Sequence, residues 1–332
     1  MPSEPTPESE KTAFSAPQVS IVFMGTPALA ETALEALIRE KYHIVGVVTQ
    51  PDRKSGRKQE LTPSPVKVLA EKHGLPLLQP EKLDTEAVKT IRNWKPDVIV
   101  VAAYGRILPE SLLEFPGFGC LNIHTSLLPR WRGASPVANA LIAGDAETGV
   151  TLMELDRGMD TGAIIATEKT PIGSDERADE LLTRLSQMGA KLLTNTLPLW
   201  IKRQITSTPQ PEEGVTLCQL IEREDGHLFW TEEAITLYNR YRGLHPWPGV
   251  FTYWRRGADD VVRIKLHELS LQKTPPAIDY PIGSVVEIGE KIGIVTGSGV
   301  LFPLTIQIEG KEAVSIADFL KGYPSFVGSV LM

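Results

Sequence analysis

The chain has 332 residues, 42% hydrophobic and 23% charged, the make-up of a globular protein long enough for two domains. No run of about 18 apolar residues occurs, which argues against a membrane helix, and a net charge of −7 argues against a broad nucleic-acid face while leaving room for a local basic patch. The two cysteines, Cys120 and Cys218, form neither a disulfide framework nor a zinc spacing and read as small buried hydrophobes in a reducing, cytoplasmic setting.

Residues 1–18 are rich in Pro, Ser, Thr and Glu, with Phe14 as the one aromatic. They cannot bury enough apolar surface to order themselves, so a disordered tail is expected. Glu4, Glu8 and Glu10 argue against a transit peptide. A buried strand is predicted over 19–24, then the turn Gly25-Thr26-Pro27 and a helix over 28–39. The turn is of the strand–glycine–helix kind, but the three-glycine dinucleotide pattern is missing. A second strand is predicted over 44–49, a polar basic loop over 50–62, a helix over 65–72, a short strand near Leu77 and a helix over 85–93. Apolar strands follow over 98–103 and 119–124. This alternation predicts a Rossmann-like α/β fold with a doubly wound, mainly parallel sheet.

From Gly149 the pattern changes. Two strands, 150–155 and 163–168, flank the turn 156–162, and a long helix is predicted over 175–203. Leu181, Leu182, Leu185, Met188, Leu192 and Leu193 form its packing face. Residues 204–214, with Pro209, Pro211 and Gly214, read as a linker. Tyr238 falls in a short helix. Short β runs then recur over 250–254, 261–266, 283–288, 292–296 and 300–308, separated by glycines, and predict a smaller C-terminal β-barrel, OB-like in kind. The expected organisation is a tail (1–18), a catalytic domain (19–203), a linker (204–214) and a barrel (215–332).

The chemistry concentrates near the middle. Asn122 and His124 are two apart at the end of a predicted strand and so share one face. They lie at the carboxyl end of a parallel strand, where open α/β sheets build their sites. Asp160 lies in the turn between Gly158 and Gly162, glycines that allow backbone to approach a ligand. The three supply an amide donor, an imidazole and a carboxylate. Taken alone, His124 also fits a structural histidine, Asn122 a turn cap and Asp160 an ordinary turn residue.

In combination the segments 122–129, Arg132-Gly133, Gly149-Val150-Thr151 and 156–162 resemble the 10-formyltetrahydrofolate-dependent formyltransferase family. Gly25-Thr26-Pro27, the segments 49–53 and 63–67, and the run 242–249 extend the likeness to members that act on methionyl-tRNA. The resemblance spans about residues 19–330. It implies formyl transfer from 10-formyltetrahydrofolate to the α-amino group of methionyl-initiator tRNA, with no metal. It implies that Asn122 and protonated His124 stabilise the oxyanion, while Asp160 supports His124 and takes the amine proton. It places Ser126, Leu127, Leu128 and Pro129 along the folate, and the pterin near 100–104 and 156–160. The segment 52–58 carries four positive charges and one negative. By resemblance Arg57, with Arg53, Lys54 and Lys58, contacts the acceptor end of the tRNA. Family membership implies a monomer.

Residues 206–332 hold 11 basic and 16 acidic residues, a net of −5, unexpected for a tRNA-binding barrel. Basic residues cluster locally as Arg240 with Arg242, Arg255 with Arg256, and Arg263 with Lys265. Trp247 could stack on a base, but between Pro246 and Pro248 it reads first as packing. Rival readings are a formyltransferase acting on glycinamide ribonucleotide or an amino-sugar nucleotide, a 10-formyltetrahydrofolate hydrolase, a folate- or RNA-binding module without catalysis, and a nucleotide-dependent dehydrogenase. The second domain and the run 242–249 argue against the first, and the missing glycine pattern against the last.

Overall fold

The computed structural model describes residues 19–55, 60–272 and 280–332. The expected tail, Arg57 and Lys58 lie outside them. The chain packs as two compact units: the residues up to Leu121 with Leu193–Thr206, and Asn122–Leu192 with Ser207–Met332.

The first unit contains β1 (Ser20–Gly25), α1 (Ala28–Arg39), β2 (His43–Val48), β3 (Arg53–Ser55), β4 (Glu60–Thr62), α2 (Pro65–Lys72), β5 (Leu77–Leu78), α3 (Thr85–Asn93), β6 (Val98–Ala102), α4 (Glu110–Leu113) and the first residues of β7 (Cys120–His124). Its sheet runs β6-β1-β2-β5, all parallel. Ile21, Val22, Phe23 and Met24 are fully buried, as are Val98, Ile99 and Val100. Both faces of these strands are covered, so they read as continuous apolar runs rather than alternating ones. The helices start where the sequence supplies caps. Ser64 Oγ accepts from Lys67 N ahead of Pro65, and Asp84 Oδ1 accepts from Ala87 N. A Cβ on Gly25 would meet Ala30 Cβ at 2.5 Å and Ala102 O at 2.8 Å. This glycine serves the close approach of α1 to the strand ends.

The predicted plain loop over 50–62 contains a hairpin instead. Arg53 pairs with Thr62 and Lys54 with Leu61. Arg53, Lys54 and Glu60 to Thr62 are exposed, so no polar–apolar alternation announces these strands. The hairpin is rooted at Asp52, which accepts from Lys67 Nζ at 2.7 Å and Gln79 Nε2 at 2.8 Å. The hydrogen bonds from Lys67 and Gln79 hold the Asp52 carboxyl below the usual carboxylate range.

The second unit continues β7 and adds β8 (Arg132–Gly133), α5 (Pro136–Ile142), β9 (Glu147–Glu154), β10 (Ile164–Pro171) and α6 (Ala178–Ile201), whose last turns belong to the first unit. Here the order is β10-β9-β7, with β9 and β10 antiparallel. The four-residue α4 and seven-residue α5 escape sequence reading because neither is long enough to display a helical period. On α6, Leu181, Leu185, Leu192 and Leu193 are buried as expected, but Leu182 is 39% exposed. One residue on from Leu181, it lies about 100° round the helix.

The remaining elements are β11 (Leu217–Cys218), α7 (Ala234–Gly243), β12 (Val250–Arg255), β13 (Val261–Leu271), β14 (Val285–Ile288), β15 (Lys291–Val295), β16 (Val300–Ile308), β17 (Val314–Ser315) and α8 (Ile316–Gly322). The antiparallel order is β12-β13-β16-β15-β14, with β17 on β16. The two outer strands meet a common partner, the stretch 329–332. Tyr253 on β12 exchanges both backbone hydrogen bonds with Met332, while Leu331 N donates to Gly283 O and Val285 N to Ser329 O. The expected barrel is therefore closed by that stretch. Its core includes Trp230, Trp254, Leu266, Ile294, Leu301, Phe319 and Phe326.

Two expectations about this unit need correction. Trp247 is 62% exposed, not packed, while its neighbours Leu244 and Val250 take the interior positions. Of the basic clusters, Arg242 and Arg263 are buried. Arg242 donates to Gly173 O and Glu176 O, and Arg263 lies 3.5 Å above the Phe251 ring. Neither is available to a phosphate.

Both cysteines are buried. Burial pushes the Cys120 thiol up to about 12 and raises that of Cys218 as well. Since the thiolate is the nucleophile, neither cysteine is expected to take up a maleimide at pH 7.5 in the native protein. Both should label in denaturant, as counted by intact-mass spectrometry. Stoichiometric native labelling would contradict this burial.

Candidate active site

β7 carries Asn122 and His124 on one face. Asn122 is half-buried, and its amide has no hydrogen-bond partner among the described residues. His124 is 6% exposed. Its Nε2 lies 2.9 Å from Trp131 O. A carbonyl oxygen only accepts, so Nε2 carries the hydrogen. Nδ1 faces Asp160 Oδ2 at 3.6 Å. A protonated ring donates from both nitrogens, whereas a neutral one turns its Nδ1 lone pair towards a carboxylate oxygen. The Trp131 carbonyl thus occupies one of the two donors that sequence reasoning left free on this ring.

Asp160 sits in the turn between β9 and β10 with φ +53°, a left-handed conformation that Asp adopts more readily than most L residues. Its Oδ2 accepts from Gly133 N at 2.9 Å, while Oδ1 has no partner among the described residues. One oxygen is tethered and the other remains available as an acceptor. The turn is organised from within by Asp156, which accepts from Gly158 N at 2.9 Å and Thr161 Oγ1 at 2.7 Å. The role of Gly162 differs from expectation. A Cβ there would lie 1.8 Å from Glu154 O. The space is filled by the chain's own backbone, not kept for a ligand.

A cluster around Trp131 completes the arrangement. Trp131 also has a left-handed φ of +61°. Its backbone N–H donates to Thr216 Oγ1 at 2.8 Å and its indole N–H to Asp145 Oδ2 at 2.8 Å. Arg130 pairs twice with Asp145, at 2.8 and 2.6 Å, and stacks 4.5 Å over the Trp131 ring. These contacts aim the Trp131 carbonyl at His124. Gln210 donates to Asp160 O and Gly162 O, both at 2.8 Å. Sequence reasoning missed Trp131, Asp145, Gln210 and Thr216. Trp131 lies seven residues from His124, but what orients it and Asp160 comes from 14 to 85 residues away in the chain, beyond the reach of any local pattern. The segment 204–214 is thus more than a linker, for Thr208 also pairs with Ile164 in both directions at 2.8 Å.

In the loop after β7, Ser126 and Leu128 are buried. Ser126 Oγ donates to Arg130 O at 2.6 Å and so holds the loop's shape, leaving Leu127 and Pro129 part-exposed. Leu127 borders a cleft of about 240 Å³ whose wall continues through Arg130, Trp131 and Ala146 to Thr148. The two segments expected to meet the pterin fall in different units. In the first, Tyr104 is buried and its hydroxyl has no partner among the described residues. Arg53 and Lys54 are exposed on the hairpin. No group of three or more His, Cys, Asp or Glu among the described residues is disposed to hold a metal, and no described helix is long and apolar enough to cross a membrane.

Comparison with known proteins places this geometry in context. Residues 19–197 match the model of the formyl transferase family, and residues 220–324 that of the formyl transferase C-terminal domain. The chain is 41% identical over 316 residues to a methionyl-tRNA formyltransferase of Geotalea uraniireducens (strain Rf4), covering 94% of this chain and 97% of the relative. It is 42% identical over 318 residues to one of Halalkalibacterium halodurans, covering 94% and 98%. Among solved structures, HypX from Aquifex aeolicus in complex with tetrahydrofolic acid aligns with a TM-score of 0.63 at 17% identity, over 93% of this chain and 48% of that one. An N-formyltransferase from Helicobacter canadensis in complex with folinic acid and dTDP-3-aminofucose gives 0.64 at 16%, over 86% and 98%. At these identities the structural likeness speaks to the fold alone.

Proposed function

The chain belongs to the formyl transferase family, and from that membership we propose how its own residues carry the reaction. It moves the formyl group of 10-formyltetrahydrofolate to the α-amino group of methionyl-initiator tRNA. The products are N-formylmethionyl-tRNA, which enters translation initiation, and tetrahydrofolate. The observation that carries the assignment is near-full-length identity to proteins of that activity, in a chain that keeps Asn122, His124 and Asp160 together in one unit.

The nucleophile is the amine of the acceptor. As its nitrogen bonds to the formyl carbon, negative charge grows on the formyl oxygen. The unpartnered Asn122 amide donates to that oxygen, and the His124 imidazolium, held between Trp131 O and Asp160, adds positive charge from a water-poor pocket. Asp160 Oδ1 accepts the proton the amine must lose, directly or through a water, while Oδ2 stays tied to Gly133 N. The C–N10 bond then breaks, and N10 of the folate takes a proton as it leaves.

The folate lies along the face offered by Leu127 and Pro129, with Ser126 and Leu128 shaping the loop from beneath. Arg53, Lys54, Arg57 and Lys58 meet the acceptor end of the tRNA. The domains that do this are 19–203 and 215–332, joined by 204–214, a division supported by the family matches. The protein acts as a monomer in the cytoplasm, the reading that family membership supports.

A formylation assay with 10-formyltetrahydrofolate tests the assignment. Methionyl-initiator tRNA should be formylated, in strong preference to methionyl-elongator tRNA and free glycinamide ribonucleotide. Arg57→Ala should raise KM for the tRNA and flatten its salt dependence by about one charge contact, without changing KM for the folate. Formylation of glycinamide ribonucleotide in preference to the tRNA would defeat the assignment.

A further inference from the structure

We propose that Gln210 is a positioning residue for formyl transfer, holding the turn that presents Asp160. Gln210 lies between the two segments matched by the family models, which end at 197 and resume at 220. Its side-chain amide is fully used. Nε2 donates to Asp160 O and Gly162 O at 2.8 Å each, and Oε1 accepts from Arg132 Nε at 2.9 Å and Nη2 at 2.7 Å. An amide has two donors and two acceptor lone pairs, so nothing is left over.

This arrangement supplies what the turn lacks by itself. Asp160 is at φ +53°, a left-handed conformation that Asp tolerates but that does not by itself fix where its carboxyl points. Asp156 braces the turn from 156 to 161, but its hydrogen bonds do not reach the Asp160 or Gly162 carbonyls. Gln210 alone among the described side chains fixes both, and through Arg132 it also ties them to the residue preceding Gly133, the tether of Asp160 Oδ2. Gln210 is itself presented by anchored backbone. On one side Thr208 pairs with Ile164. On the other, Arg132 N donates to Thr216 O at 3.0 Å, and β11 pairs with β8. The segment between the family domains is thus a strap across the turn that carries Asp160.

The inference rests on the reading of Asp160 as proton acceptor, and the test separates the two. In the full chain, Gln210→Ala should lower kcat about 10- to 100-fold, the scale of a sub-ångström to 1 Å misplacement. KM for tRNA and for 10-formyltetrahydrofolate should stay within about twofold, because Gln210 touches neither. Gln210→Glu preserves length and the acceptor for Arg132 but removes both donors, and should lose kcat to a similar extent. It serves as the test if the alanine variant does not fold. In an Asp160→Asn background, either Gln210 change should cost less than about twofold, since there is no base left to position. Normal turnover by Asp160→Asn overturns the reading of Asp160, and with it the role of Gln210. Slow turnover by Asp160→Asn alongside native rates for the Gln210 variants, or an equal loss in both backgrounds, overturns the positioning role alone.

Discussion

Asp160→Asn should lower the single-turnover rate of formyl transfer about 10³-fold, and Asn122→Ala about 10²- to 10³-fold, with the folded state intact. The asparagine is isosteric, so it still accepts from Gly133 N and fits the same turn. It loses the charge opposite His124 Nδ1 and the lone pair that takes the amine proton. The Asn122 side-chain amide makes no hydrogen bond within the described residues. Its truncation therefore leaves no orphaned partner, and the loss of rate reports only on what it gives the reacting oxygen. His124→Ala should be at least as damaging, because it also removes the donor to the Trp131 carbonyl and the charge facing the Asp160 carboxylate. The measurement is a quench experiment at saturating substrate, with circular dichroism to verify folding. Rates near native in all three variants would leave the proposed chemistry without a basis.

Gly162→Ala should damage stability and turnover together. The new methyl would lie 1.8 Å from Glu154 O and 2.8 Å from its carbonyl carbon, both backbone atoms that cannot rotate aside. Glu154 N also donates to Ala163 O at 2.9 Å, so the clash falls on the last rung joining β9 to β10. Either that rung opens or the turn shifts, a cost of about 1–3 kcal/mol or more by the usual scale of overpacking. That corresponds to a fall in Tm of several degrees for a domain of this size. Displacing the turn moves Asp160, so kcat falls with it. Gly158→Ala provides the contrast, because its nearest obstacle is the Thr161 side chain rather than backbone: moving Thr161 Oγ1 gives up its hydrogen bonds to Asp156 but leaves the rung between β9 and β10 in place. Differential scanning calorimetry on both variants decides the matter. Equal melting temperatures for Gly162→Ala and the parent would show that the contact is easily relieved.

Much of this molecule is legible in the chain itself, and the limits of that legibility have physical causes. Strands such as 20–25 and 98–102 are covered on both faces, so an unbroken apolar run identifies them. Helices α2 and α3 announce themselves through Ser64-Pro65 and Asp84. Asn122 and His124 could be placed on one face because a strand has a period of two. The hairpin β3–β4 was invisible because neither of its faces is buried. Trp247 was misjudged because its neighbouring prolines say nothing about which way the indole turns. The surroundings of the site were the least accessible. That Trp131 O would claim His124 Nε2, or that Gln210 would reach Asp160 O from 50 residues away, follows from tertiary packing alone. Sequence could name the candidate groups but not what orients them.

The way the barrel closes has a consequence for its behaviour under stress. Until 329–332 dock, β12 and β14 each present bare N–H and C=O groups along an open flank. Such flanks recruit strands from other molecules. Fraying of those few residues on mild heating would therefore turn this fold into a template for self-association well before its aromatic interior melts. Turbidity should then lead the loss of near-ultraviolet ellipticity, and more so at higher protein concentration.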